Sequence, residues 1–156
     1  MEDFCMFFEE ALKVAIKGEE DAFNTYFNAI KKVENKAAKE LLKELAKEEL
    51  EHKHKLELAL IDEDYILNIG TGSIPKNFSI ADFLVDKNKI NEKSSLQDIY
   101  SYAISSEKKA INFYSILMNS CSGSKMSFLF EKLRDEEKKH LSKLEKDYED
   151  TFIQEN

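Results

Sequence analysis

Six side chains in this sequence combine a chemistry and a spacing suited to holding metal: Glu19, Glu49, His52, Glu107, Glu137 and His140. Glu49 and His52, like Glu137 and His140, stand three residues apart, which on a helix puts both on one face, a turn from each other. Glu107, Glu137 and His140 each fall 88 residues after Glu19, Glu49 and His52 in turn. The same offset carries Tyr26 onto Tyr114, Ala22 onto Ala110, Asn24 onto Asn112, Leu45 onto Leu133 and Leu56 onto Leu144. A helical hairpin is therefore repeated, and the acidic and imidazole groups repeat with it. Glu51 and His54 make a third such pair, but they lie about 200° round the helix, on the face of Lys47 and Lys55. The offset sends His54 to Ser142, so this pair is expected to be solvated.

Four carboxylates gathered in a helical core would repel one another and lose hydration, at several kcal/mol per ion even after relaxation. Two divalent cations would balance four carboxylates, and mixed carboxylate and imidazole ligation suits iron, with manganese as the alternative. Glu49 with His52 is expected on one metal side and Glu137 with His140 on the other, with Glu19 and Glu107 as terminal or bridging ligands. Tyr26 and Tyr114 follow Glu19 and Glu107 by seven residues, two turns on, where a hydroxyl could donate to and orient a ligand carboxylate.

The elements that must position these groups are four helices. Apolar residues recur at steps of three and four around each acidic position: Phe8, Leu12, Ala15, Ala22, Tyr26, Ile30 and Val33; Leu41 or Leu42, Leu45, Leu56 and Ala59; Leu96, Ala103, Ala110, Tyr114 and Leu117; Leu129, Leu133, Leu144 and Tyr148. The spacing predicts helices over roughly 4–34, 37–61, 95–119 and 125–150 within a single domain, 1–156. Asn35-Lys36 and Ser120 to Ser124 are short links, which make each helical pair antiparallel; Gly123 is read as a helix stop and Ser124 as an N-cap. The link over about 62–94 holds Gly70, Gly72, Pro75 and a short apolar piece, Ile80–Val85, and can run the length of a bundle. The expected fold is all-α: two helical hairpins joined by a long crossover. Phe4, Phe7, Phe8, Phe23, Phe27 and Phe113 are assigned to packing.

Composition narrows the function classes. Four Gly and one Pro among 156 residues leave little turn material for a β-sandwich or barrel. A net charge of −8 argues against non-specific nucleic-acid binding, and no apolar run is long enough to span a bilayer. Glu2 and Asp3 stand where a secretory signal would be basic, and Cys5 and Cys121 are isolated, so a cytoplasmic protein with reduced thiols is expected.

Gly18-Glu19-Glu20-Asp21-Ala22-Phe23-Asn24-Thr25-Tyr26, Glu48-Glu49-Leu50-Glu51-His52, Glu107 through Tyr114, and Glu136-Glu137-Lys138-Lys139-His140 resemble the four helix motifs of the rubrerythrin-type branch of the ferritin-like di-iron superfamily. The resemblance implies a ferritin-like four-helix bundle with two iron ions, reducing hydrogen peroxide with electrons from a rubredoxin-like carrier. Full rubrerythrins carry a four-cysteine rubredoxin domain that is not seen here, and their additional third-helix Glu is replaced by Ala110, which implies a more symmetric site like that of bacterioferritins. No fifth helix is expected after the fourth, which weighs against a storage cage. The alternatives are a ferroxidase or iron-binding protein without multiple-turnover peroxidase activity, and a metal-free helical interaction module; the oxidant is hydrogen peroxide or dioxygen. Bundles of this type often form homodimers, but the sequence marks no interface.

Overall fold

The computed structural model of the chain describes residues 8–61, 90–122 and 125–153. Four helices account for nearly all of them: α1, Phe8–Lys32; α2, Lys36–Ile61; α3, Leu96–Ser120; α4, Lys125–Phe152. Residues 62–89 of the expected crossover, with Ile80–Val85, lie outside the described residues, as do Phe4, Cys5, Phe7, Gly123, Ser124 and the Phe8 side chain.

Local signals set the helix ends. In α1, Glu9 and Glu10 occupy the first turn and Lys31 and Lys32 the last, each sign opposing the helix dipole. The Asn35 side chain accepts a hydrogen bond from the Ala38 amide at 3.0 Å and so caps α2. Ser95 and Asp98 form a reciprocal capping box at the start of α3. No described helix is long and apolar enough to cross a membrane.

α1 packs along α2, α3 along α4, and α2 touches α3. The buried apolar residues form two clusters at opposite ends of the bundle. One joins Leu12 and Ala15 of α1, Leu56 of α2, Tyr114 and Leu117 of α3, and Phe130 and Leu133 of α4. The other joins Tyr26 and Val33, Leu42 and Leu45, Ile99 and Ala103, and Leu144. The early half of α2 therefore lies level with the early half of α3, so these two run parallel and each partner runs antiparallel. This is a ferritin-like four-helix bundle built from two hairpins. Truncating one of the fully buried leucines should cost about 2–5 kcal/mol.

Phe27 departs from the expected packing role. It is 44% exposed, because it follows Tyr26 onto the outer side of α1. There its ring stacks on Phe23, with centroids 5.6 Å apart, and Lys31 lies over it at 4.9 Å. Phe113 is buried and Phe23 half-buried.

Candidate metal centre

Between the two apolar clusters lies a polar layer. Glu19, Glu49, His52, Glu107 and Glu137 are all buried, and His140 is half-buried at the edge of the layer. Each helix contributes at least one of these groups from mid-length, because the acidic position interrupts an otherwise apolar stripe. His54 is exposed and takes no part.

Glu137 is the centre of the layer. Its Oε1 lies 2.7 Å from His52 Nδ1, and its Oε2 lies 3.8 Å from His140 Nδ1. Both imidazoles thus turn Nδ1 inward, and their rings stack with centroids 5.4 Å apart. His52 Nδ1 also lies 3.8 Å from Glu19 Oε1, and that oxygen accepts a hydrogen bond from the Tyr114 hydroxyl at 2.6 Å. Ligand atoms of Glu19, Glu49, His52 and Glu137 come within 4.8 Å of one another, and so do those of His52, Glu137 and His140, and those of Glu48, Glu107 and His140.

Such crowding of like charge needs compensation. Burial, with Glu19 and Glu137 nearby, pushes the Glu49 carboxyl well above the usual carboxylate range. Burial also raises Glu137, but His140 and His52 outweigh it and hold this carboxyl below the usual range. For His52, burial works against the charged imidazolium; Glu137 and Glu19 outweigh it and push the pKa up to about 11. Without metal, protons on His52 and Glu49 thus relieve the carboxylates.

That relief is partial. Glu19 Oε2, both oxygens of Glu107 and of Glu137, and Nδ1 of His52 and of His140 are buried without a hydrogen bond. The close approach of His52 to Glu137 is too poorly aligned to serve as one. Buried polar atoms are ordinarily satisfied, and a convergent set of carboxylate and imidazole atoms left over is what a divalent ion would take up. The residues present fit such an ion.

The two tyrosines differ. Tyr114 donates to Glu19, on the opposite hairpin. Tyr26 donates to no carboxylate: its hydroxyl sits by Ser106, and burial and nearby Glu49 raise its pKa. The expected symmetry of the pair therefore fails: both rings lie in an apolar cluster, but only the Tyr114 hydroxyl reaches a carboxylate, while the Tyr26 ring makes an edge contact with Tyr102 at 6.0 Å.

Two residues that the spacing argument passed over also reach the layer. Glu136 Oε2 lies 3.3 Å from His52 Nε2, and Glu48 Oε2 lies 3.4 Å from His140 Nδ1. They too are 88 residues apart, so the repeat contained the signal. Each imidazole thus meets an acidic residue of the other hairpin.

A helical bundle with a buried carboxylate and imidazole layer defines the class of protein: a ferritin-like domain with a group of side chains able to hold metal. The rubrerythrin family model matches residues 10–148, and the chain belongs to that family. No curated protein and no solved structure gives a match.

Proposed function

We propose that the chain is a di-iron oxidoreductase that reduces hydrogen peroxide to water with electrons from an external, rubredoxin-like carrier. The observation that carries this reading is the set of buried, unpartnered carboxylate and imidazole atoms converging from four helices in a rubrerythrin-family chain. Glu19, Glu49 and His52 would hold one ion, Glu107 and His140 the other, with Glu137 within reach of both. Bound iron would supply the electrons that break the peroxide O–O bond.

The remaining chemistry belongs to the chain. Conversion of peroxide to two waters consumes two electrons and two protons, and the protons must come from outside the ligand set, because Glu49 and His52 give up theirs when they hold an ion. Tyr114 fixes the orientation of Glu19, and Glu136 fixes that of His52 at its outer nitrogen. The two apolar clusters close the layer from both ends of the bundle and limit water there. Anaerobic loading with ferrous iron, followed by rapid mixing, tests the reading: oxidation should be faster with peroxide than with dioxygen. Equal or reversed rates would favour a ferroxidase, a reading supported by the acidic Glu44, Glu48 and Asp147 lining a cleft beside His140.

A further inference from the structure

Glu48 and Glu136 occupy equivalent places in the repeat, yet they meet different atoms. Glu136 stands on the outer nitrogen of His52, away from the shared carboxylate of Glu137. Lys55 holds it there with a 2.6 Å hydrogen bond. Glu48 stands on the inner nitrogen of His140, the one that faces Glu137, and at 3.4 Å it is nearer that nitrogen than Glu137 Oε2 at 3.8 Å. Lys143, the repeat counterpart of Lys55, instead lies 3.6 Å from Glu44. Glu48 is thus not clamped outward as Glu136 is. Its carboxylate joins Glu107 and His140 in a group whose ligand atoms all lie within 4.8 Å. Glu107 in that group is only 2% exposed, and both of its oxygens lack a hydrogen bond.

We infer that Glu48 is a seventh metal ligand, serving the ion on the His140 side, whereas Glu136 is a positioning residue for His52. The inference rests on the two-metal reading above and deepens it. A carboxylate on the half-buried edge of α2, beside a cleft open between α2 and α4, can bind the incoming divalent cation from solvent and remain on it as an exchangeable oxygen donor. The His140 side would then take four protein donors without any further acidic residue on α3.

Cobalt(II) is the probe, because its visible bands report coordination number without turnover. The wild-type chain should take up two ions in two steps, the weaker on the His140 side, whose imidazole is 22% exposed against 3% for His52. Glu48→Gln should weaken the weaker step about tenfold and shift its bands, with the tighter step intact. Glu48→Asp, which keeps the charge but withdraws the carboxylate by one methylene, should weaken the same step. Glu136→Gln should leave the bands of the weaker step in place. Two ions bound by Glu48→Gln with unaltered affinity and bands, full affinity in Glu48→Asp, or equal loss of both steps would overturn the assignment of Glu48 while leaving the two-metal reading standing. Failure of the wild-type chain to bind cobalt(II) at all would overturn both.

Discussion

His52 and His140 hold equivalent positions in the repeat, yet their side chains are 3% and 22% exposed. His52 is enclosed by Glu19, Glu137 and Glu136, and the last of these is anchored by Lys55. His140 faces a cleft between α2 and α4 with Glu48 beside it. Tyr114 and Tyr26 also divide, one hydroxyl bonded to Glu19 and the other beside Ser106 with no carboxylate to donate to. Repetition of a hairpin supplies twice the candidate ligands, but the environment of each copy sets them apart. A near-symmetric set of candidate ligand residues therefore sits in an asymmetric surround, with one closed side and one side near solvent.

The most damaging change to this arrangement removes the carboxylate that both halves share. Glu137→Ala should abolish tight binding of both ions, read by equilibrium dialysis against ferrous iron or cobalt(II). Retention of one ion at full affinity would mean that the halves are independent. Next in size, His52→Ala should lower metal affinity about tenfold more than His140→Ala, since water can more readily replace the ligand nearer solvent. His54→Ala should leave metal content unchanged, and equal losses in the His52 and His54 variants would place the register of α2 in error.

Tyr114→Phe should cost about tenfold in affinity through loss of the Glu19 contact, against little change for Tyr26→Phe. Comparable losses from both would restore the symmetry that the structure breaks. The smallest effect concerns the metal-free chain. Glu49 has its carboxyl pKa raised on folding, so its contribution to stability is present below the unfolded value of about 4.3 and is lost as pH rises through the folded one. Glu49→Gln should therefore raise metal-free stability at neutral pH, by on the order of 1 kcal/mol in denaturant melts, while weakening metal binding. A less stable Glu49→Gln chain would show that the carboxylate is satisfied without metal.

Proton release gives an independent check on the same groups. His52, pushed up to about 11, and Glu49 must shed protons to bind metal, so uptake at neutral pH should release protons and affinity should rise with pH. Affinity that does not change with pH would contradict the protonation of the closed side.

Much of this was legible in the sequence, for physical reasons. Glu19, Glu49, Glu107 and Glu137 interrupt helical stripes whose other members, His52 and His140 apart, are apolar, and periodicity alone places such residues inward. The helices likewise follow from the stripes, with the described ends shifted by at most two residues, while the caps read at Gly123 and Ser124 and the expected start of α1 at residue 4 lie outside the described residues. The roles of Glu48 and Glu136 were not legible. Both lie beside a ligand position, and their difference depends on whether Lys55 or Lys143 finds another acidic partner across the bundle. The exposure of Phe27 escaped for a similar reason: hydrophobic identity favoured burial, but its place on α1 turned it outward. Tyr26 and Tyr114 share a spacing, and only the level of each ring against its neighbours separates them.

The central claim is that the buried carboxylate and imidazole layer is a two-metal site. Metal analysis of the chain purified without chelator tests it most directly. About two iron ions per chain are predicted, with loss of both in Glu137→Ala. A metal-free protein that also fails to take up added ferrous iron, and whose stability is unchanged in Glu137→Ala, would contradict the account and leave a helical scaffold without metal chemistry.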